Sequence, residues 1–340
     1  MKKIRVGVVG VGHLGKFHVE KYSRMPNVEL AGFADISPER RETISRQYGI
    51  PGYEDYHRLI PKIDAVSIVV PTTQHAEVAK DFLMEKVDVL IEKPISRSIA
   101  EAEGLIALAG TQGCLLQVGH LERFNPVYLK IKPYIKNPLF FESHRLSPFK
   151  ARGIDVDVIL DLMIHDLDLI LHLVQSPAEQ IQAVGVPVVS PRVDIANVRI
   201  QFQNGCVANI TASRISLQEM RKMRIFQPAA YLSLDFWEKT YSVVRLEQPN
   251  EKSSLGPKFA SENGTANGGD ALEMELLSFV NAVRTRSDPV VCGEDGKKAI
   301  AMALWINQEI EKNLKFADQF PGTLDLIKGW KGVSSPRESH

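Results

Sequence analysis

The chain has 340 residues, enough for about two domains, and its 44% hydrophobic and 24% charged content is that of a globular protein with a substantial core. Its 41 Lys and Arg balance 41 Asp and Glu, and zero formal net charge argues against nucleic-acid binding, which needs a basic excess to displace counterions. Cys114, Cys206 and Cys292 lie far apart without C-x-x-C spacing, so neither a disulfide framework nor a zinc knuckle is expected. The apolar run after Met1-Lys2-Lys3 is interrupted by Gly7, Gly10, Gly12 and His13, unlike a signal peptide. The longest charge-free stretch, Gly104 to Leu121, contains Thr111-Gln112-Gly113 and reads as helix, turn and strand. A reduced, soluble, cytoplasmic protein without membrane contact is the expectation.

In the first 120 residues short β-branched runs alternate with helical spacing. Ile4 to Val9, Val28 to Ala34, Ala65 to Val70, Val87 to Ile91 and Cys114 to Val118 read as strands buried on both faces, as in a parallel sheet. Between them lie helices at Lys16 to Arg24, Pro38 to Tyr48, His75 to Lys86 and Ser98 to Ala109. Ser37-Pro38 supplies an N-cap and a first-turn proline, and Ser98 with Glu101 forms a capping box. This alternation predicts a doubly wound α/β sheet.

Beyond Glu122 the pattern changes. A strand at Leu139 to Leu146 precedes one strongly apolar helix from about Val156 to Val174. Strand patterns follow at Gln180 to Val189, Val193 to Phe202, Val207 to Ser213, Met223 to Ile225, Ala230 to Phe236 and Tyr241 to Leu246, with Asn204-Gly205 as a hairpin signal. Pro249 to Asp270 reads as a long polar loop, and Ala271 to Arg286 and Glu294 to Asn313 as helices. The predicted division is 1–121 for nucleotide binding, 122–330 for substrate binding and oligomerisation, and 331–340 as a flexible tail.

Gly10-x-Gly12-x-x-Gly15 directly follows the first strand and opens a helix. Such glycines permit a tight turn, close approach of a pyrophosphate and close helix–strand packing, while the helix N-terminus offers free N–H groups to the phosphates. Asp35 lies at the end of the second strand, where a carboxylate accepts from a ribose 2′-hydroxyl and repels a 2′-phosphate. NAD is therefore favoured over NADP. Past the third strand, Thr72 and His75 either face the cofactor or belong to a segment in which a threonine caps the next helix.

Two features carry chemistry. Glu92-Lys93-Pro94 delivers a lysine to the crevice at a strand end, with a Lys-Pro bond that can be cis; such a lysine can polarise a carbonyl or share a proton with a hydroxyl. In the apolar helix, Asp161, His165, Asp168 and His172 fall on one stripe, which is either a buried site or a wet face. No further ligand with recognisable spacing accompanies them, so a metal is not expected.

Together the glycine fingerprint, Glu92-Lys93-Pro94 and Asp161-x-x-x-His165 resemble the glucose–fructose oxidoreductase and inositol dehydrogenase (Gfo/Idh/MocA) family over nearly the whole chain. The resemblance implies a Rossmann domain followed by an α+β domain with an open, mostly antiparallel sheet. It implies NAD-dependent oxidation of a secondary sugar alcohol, with Lys93 the catalytic lysine, His165 the acid/base and Asp161 the carboxylate that orients substrate and tunes the lysine. The expected cofactor contacts are Gly10, Gly12, His13, Leu14, Gly15, Asp35, Pro71, Thr72, His75, Glu92, Lys93 and Arg123. The expected substrate contacts are Lys93, Arg145, Arg152, Asp161 and His165.

A narrower likeness lies in Gly119-His120-Leu121-Glu122-Arg123-Phe124-Asn125-Pro126, and in Arg221 to Trp237 with Phe226-Gln227 and Tyr231-x-x-x-Asp235. Both are similar to the branch that oxidises the 3-hydroxyl of UDP-N-acetylglucosamine to supply 3-amino sugars for lipid A. Leu121 departs from the asparagine found in many members, which leaves the catalytic trio untouched. A nucleotide sugar needs groups for a diphosphate, for which Arg145, Arg152 and the cluster Arg214, Arg221, Lys222 and Arg224 are candidates, although the cluster also reads as a solvated strand face. Tyr22, Tyr48, Trp237 and Trp305 read as packing residues. An inositol or free-sugar dehydrogenase, a turnover that recycles NAD, and a non-catalytic NAD sensor remain alternatives. A homo-oligomer and a downstream PLP-dependent aminotransferase are the expected partners.

Overall fold

A computed structural model describes residues 3–149, 156–247 and 258–317. The first sheet is built from β1 (Ile4–Val9), β2 (Val28–Ala34), β3 (Gly52–Tyr53), β4 (Ala65–Ile68), β5 (Asp88–Glu92) and β6 (Leu116–Gly119). Its helices are α1 (Gly15–Arg24), α2 (Pro38–Tyr48), α3 (Thr72–Met84) and α4 (Ile99–Gln112). All pairings are parallel in the order β3-β2-β1-β4-β5-β6. β4 is buried at every position, the continuous apolar pattern expected where helices cover both faces. Both predicted caps form: Ser37 Oγ accepts from the Arg40 amide at 3.3 Å and Ser98 Oγ from the Glu101 amide at 3.2 Å. For α3 the cap is Pro71, without a side-chain bond, so neither threonine caps that helix.

A short helix α5 (Pro126–Ile131), not foreseen in the sequence, leads to β7 (Phe140–Leu146). The expected single helix at Val156 to Val174 is instead a π turn at Ile159–Met163 running into α6 (Ile164–Val174). Then come β8 (Ala178–Val186), β9 (Ile195–Phe202), β10 (Val207–Ser213), β11 (Met220–Gln227), β12 (Ala230–Asp235), β13 (Thr240–Leu246) and β14 (Phe259–Thr265). Among the described residues they form an eight-stranded sheet in the order β14-β13-β12-β11-β7-β10-β9-β8. Every pair is antiparallel except β7 with β10. β7 and β9 alternate buried and accessible residues, as a sheet with one covered face requires. The Asn204-Gly205 hairpin forms between β9 and β10, with Gly205 at φ +85°.

β14 corrects the reading of Pro249 to Asp270 as loop. Its polar sequence, Phe259-Ala260-Ser261-Glu262-Asn263-Gly264-Thr265, carries no apolar alternation, and only pairing with β13 makes it a strand.

The chain closes with α7 (Ala271–Thr285) and α8 (Gly293–Ala317). Two compact units result. Of the described residues, the first takes those up to Lys130 together with Asn267–Ala301, and the second takes Ile131–Ala266 and those from Met302 onward. This differs from a single cut at 121/122, because Leu276, Phe279, Val280 and Val283 of α7 bury themselves in one core with Val6 and Val8 of β1 and Val19 and Tyr22 of α1. The tail predicted at 331–340 lies outside the described residues.

Candidate active site

In the first unit the chain leaves β1 through Gly10 at φ +85°, where a Cβ would stand 2.6 Å from the Val69 carbonyl oxygen. A Cβ on Gly15 would collide with the Gly10 carbonyl, so this glycine brings α1 against the turn. Gly12 is different: the nearest atom to a Cβ there is Arg40 Nη1 at 3.7 Å, which leaves its backbone open to an approaching group. His13 and Leu14 are exposed beside it. No side chain caps α1 and no acid occupies its first turn, so the positive end of its dipole is available to an anion.

Asp35, nearly buried past the end of β2, accepts the Val11 amide on Oδ2 and the Ser37 amide on Oδ1, both at 2.8 Å. A carboxylate offers about four acceptor positions, so capacity for a hydroxyl pair remains. These residues fit a dinucleotide: an open backbone for the pyrophosphate and a fixed carboxylate for a ribose.

Arg40 Nη1 lies 3.6 Å from Asp35 Oδ2, a neighbour the sequence reading did not single out. Arginine in this position is suited to a 2′-phosphate once the carboxylate is gone. Asp35→Ser is expected to weaken NADH binding about tenfold or more, the value of one or two charge-assisted hydrogen bonds, and to gain NADPH binding. Fluorescence titration with both nucleotides checks this; a variant that still excludes NADPH would refute the role of Arg40.

The strand ends carry the next layer. His75 is buried, its Nδ1 2.8 Å from the Pro94 carbonyl and its Nε2 2.9 Å from the Val70 carbonyl. Its two ring nitrogens thus face carbonyls of the loop after β4 and of the Lys93-Pro94 segment, and a neutral imidazole donates to one of them. Burial is the main influence on this imidazole and holds its pKa below the usual value. Pro71 is exposed and Thr72 half-buried at the start of α3.

The Lys93-Pro94 bond is cis and Lys93 is half-buried. Beside it, Glu92 Oε2 accepts the Lys93 amide at 3.2 Å and Oε1 faces His18 Nε2 at 3.2 Å. Burial pushes the Glu92 carboxyl up, but His18 and Lys93 outweigh it, and the net pKa is lowered. The sequence reading missed His18; its only signal is a histidine three residues past Gly15, on the helix face that α1 buries. Arg123 is 3% exposed, with Nη2 3.6 Å from Asp295 Oδ1.

In the second unit, Asp157 Oδ1 accepts the amides of Ile159 and Leu160, both at 2.9 Å, and starts the helical segment. The π turn then widens the backbone and moves Asp161 off the α-helical stripe on which it was expected with His165, Asp168 and His172. Asp161, His165 and His172 are half-buried, whereas Asp168 is buried.

The second buried acid is Asp166, which grips Arg145 in a fork: Nε to Oδ2 at 2.8 Å and Nη2 to Oδ1 at 3.0 Å. Arg145 is 3% exposed, and this pair ties β7 to α6. Arg152 lies outside the described residues. Arg214 pairs with Asp194, Lys222 with Asp235 and Arg224 with Glu142, while Arg221 lies over the Trp237 ring with its guanidinium carbon 5.0 Å from the centroid.

The expected residues thus form two sets. Gly10 to Gly15, Asp35, His75, Glu92 and Lys93 belong to the first unit, and Asp161, His165 and Arg145 to the second. Among the described residues no helix is long and apolar enough to cross a membrane.

Comparison with known proteins identifies both halves of the chain. Residues 4–120 match the oxidoreductase family with an NAD-binding Rossmann fold, and residues 140–229 match the GFO/IDH/MocA C-terminal domain. UDP-N-acetylglucosamine 3-dehydrogenase of Acidithiobacillus ferrooxidans is 37% identical over 318 residues, covering 93% of this chain and 100% of that protein. A solved structure of that dehydrogenase superposes with a TM-score of 0.85 at 35% identity, over 92% of this chain and 99% of the other. Myo-inositol 2-dehydrogenase of Thermotoga maritima is 25% identical over 328 residues, 91% of this chain and 97% of that protein. The paired domains and this full-length likeness show that the chain belongs to the Gfo/Idh/MocA family of oxidoreductases, with an NAD-binding Rossmann domain at its N-terminus.

Proposed function

We propose that the protein oxidises the C3 hydroxyl of UDP-N-acetylglucosamine with NAD and passes the 3-keto sugar to a PLP-dependent aminotransferase, toward a 3-amino sugar for lipid A. The observation that carries this reading is the full-length likeness to a UDP-N-acetylglucosamine 3-dehydrogenase, at 37% identity against 25% for the myo-inositol enzyme. In this reading His165 takes the hydroxyl proton, and the Lys93 ammonium stabilises the negative charge that develops on the same oxygen. Asp161 accepts a hydrogen bond from the sugar and orients it. NAD, when bound, supplies the hydride acceptor. Gly10, Gly12, Gly15 and Asp35 would hold it, and the His75 and His18–Glu92 contacts set the backbone that presents Lys93. The proposal includes a cytoplasmic homo-oligomer, in keeping with an open sheet whose edge strand β14 is half exposed.

The test mixes the purified protein with NAD and UDP-N-acetylglucosamine, adds a glutamate-dependent aminotransferase as trap, and follows NADH and product mass. The trap matters because oxidation of an alcohol by NAD is uphill near neutral pH. The expected product is UDP-linked and lighter by two hydrogens, or is its 3-amino derivative. Turnover of inositol or free sugars alone would replace the nucleotide sugar as substrate. NAD binding without turnover of any sugar would sink the enzyme reading.

A further inference from the structure

The cations expected to meet a diphosphate can be sorted by what the fold does with them. In the second unit Arg145 is consumed by Asp166 and Arg214 by Asp194, both pairs buried. Lys222 and Arg224 lie on the accessible side of β11 and pair with Asp235 and Glu142. Arg221 alone of these has no carboxylate partner among the described residues.

The position of Arg221 makes that selective. In the antiparallel ladder it stands directly opposite Arg145, and side chains of directly paired residues share one face of the sheet. Burial marks that face as the inner one: Met223 and Ile225 follow Arg221 at period two, and both are buried. It is the face against which Arg145 meets Asp166 of α6, the residue next to His165. Two arginines directly opposite each other repel unless anions neutralise them. Among the described residues a carboxylate meets Arg145 and none meets Arg221.

A second observation lies beside it. Trp237, expected to be a packing residue, is 48% exposed, and the Arg221 guanidinium covers part of its ring. The turn that carries the indole is fixed, not loose. Asp235 Oδ1 accepts the amides of Trp237 at 3.1 Å and Glu238 at 3.0 Å, and the Phe236 amide donates to the Arg221 carbonyl at 2.8 Å. The neighbouring Phe236 ring is itself buried, 5.9 Å from the Arg145 guanidinium carbon. A planar cation set against an open aromatic ring offers a fork for phosphate oxygens and a π-face for a base.

We propose that Arg221 and Trp237 form the subsite for the nucleoside diphosphate end of the substrate, Arg221 binding phosphate oxygens and Trp237 stacking on the pyrimidine. The inference rests on the nucleotide-sugar reading above and names the side chains that would enforce it. An enzyme specific for a free polyol gains nothing from such a pair.

The test titrates UDP alone into the full chain by calorimetry, for wild type, Arg221→Ala, Arg221→Gln, Trp237→Ala, Trp237→Phe and Arg224→Ala. NADH binding and thermal unfolding serve as folding controls. Arg221→Ala and Trp237→Ala are each expected to weaken UDP about tenfold or more with NADH binding retained. Arg221→Gln, which preserves bulk and polarity, should lose nearly as much, Trp237→Phe should retain most of the affinity, and Arg224→Ala should match wild type. In turnover the loss should fall on KM for the UDP-sugar more than on kcat. Wild-type UDP binding that survives both Arg221→Gln and Trp237→Ala overturns the subsite and leaves the proposed function standing. A wild type that neither binds UDP nor oxidises the UDP-sugar overturns both.

Discussion

Asp194→Ala is expected to destabilise the second unit by about 4 kcal/mol, the loss that follows when a buried ion pair is left with one charge. Asp194 is 0% exposed and stands immediately before β9. Its Oδ2 accepts the amides of Val188, Val189 and Ser190 at 2.7, 2.7 and 2.9 Å. Its Oδ1 accepts Ser190 Oγ at 2.7 Å and Arg214 Nε at 2.8 Å. Arg214 in turn donates to the Val156 carbonyl at 2.8 Å, so this carboxylate ties the loop before β9 to the end of β10 and to the start of the segment that carries Asp161. Removal strands three amides and a guanidinium in a buried place.

The same carboxylate makes an acid-sensitive contribution. Burial alone would raise its pKa, but Ser190, the Val188 and Val189 amides and Arg214 outweigh it and bring the pKa from 3.8 to about 2. A folded pKa below the unfolded one means stability that is complete above about pH 5 and lost as pH falls through about 4 toward 2. The shift corresponds to about 2 kcal/mol. Urea denaturation of wild type and Asp194→Asn at several pH values checks both points: the variant should be less stable at pH 7 and should lose this part of the acid slope. A variant with the wild-type midpoint and slope would refute the assignment.

His165→Ala and Lys93→Ala are each expected to lower kcat on the UDP-sugar by about a thousandfold, in the middle of the range for removal of a positioned acid–base group. NADH affinity should stay within about threefold of wild type in the His165 variant, because the cofactor contacts proposed here all lie in the first unit. Lys93→Arg separates charge from proton transfer. A guanidinium keeps the positive charge but does not deprotonate, so a proton-sharing lysine predicts a loss close to that of alanine, whereas a purely electrostatic lysine predicts partial rescue. Single-turnover rates with NADH titrations as control decide between these. Wild-type turnover in either alanine variant would remove that residue from the mechanism.

The legible parts of the site share one property: their signals are local. Gly10, Gly12 and Gly15 could be given roles from spacing alone, because each role concerns the turn they build themselves. Asp35 could be placed because β2 ends where its apolar run ends. The cap at Ser37 and the hairpin at Asn204-Gly205 also formed as read, since a cap or a tight turn closes within a few residues. His75 marks where local signals stop. Its sequence context says that it follows a strand end, but the two carbonyls that occupy its ring come from Val70 and Pro94, the latter brought in by another strand.

What the amino-acid order determined by itself was therefore the parallel nucleotide-binding sheet, the later run of antiparallel strands and the positions of the chemistry-bearing residues along them. Tertiary structure decided the rest. The polar segment Phe259–Thr265 became a strand because β13 offered it an edge, and α7 joined the first core although it follows the whole second sheet. Arg145 is tied to α6 because Asp166 meets it across 21 residues of sequence, whereas Arg221 meets an aromatic ring and, among the described residues, no carboxylate. The physical reason is the same in each case. Periodicity, capping and turn chemistry are set by neighbours along the chain, whereas the partner of a buried charge is set by which surfaces fold together.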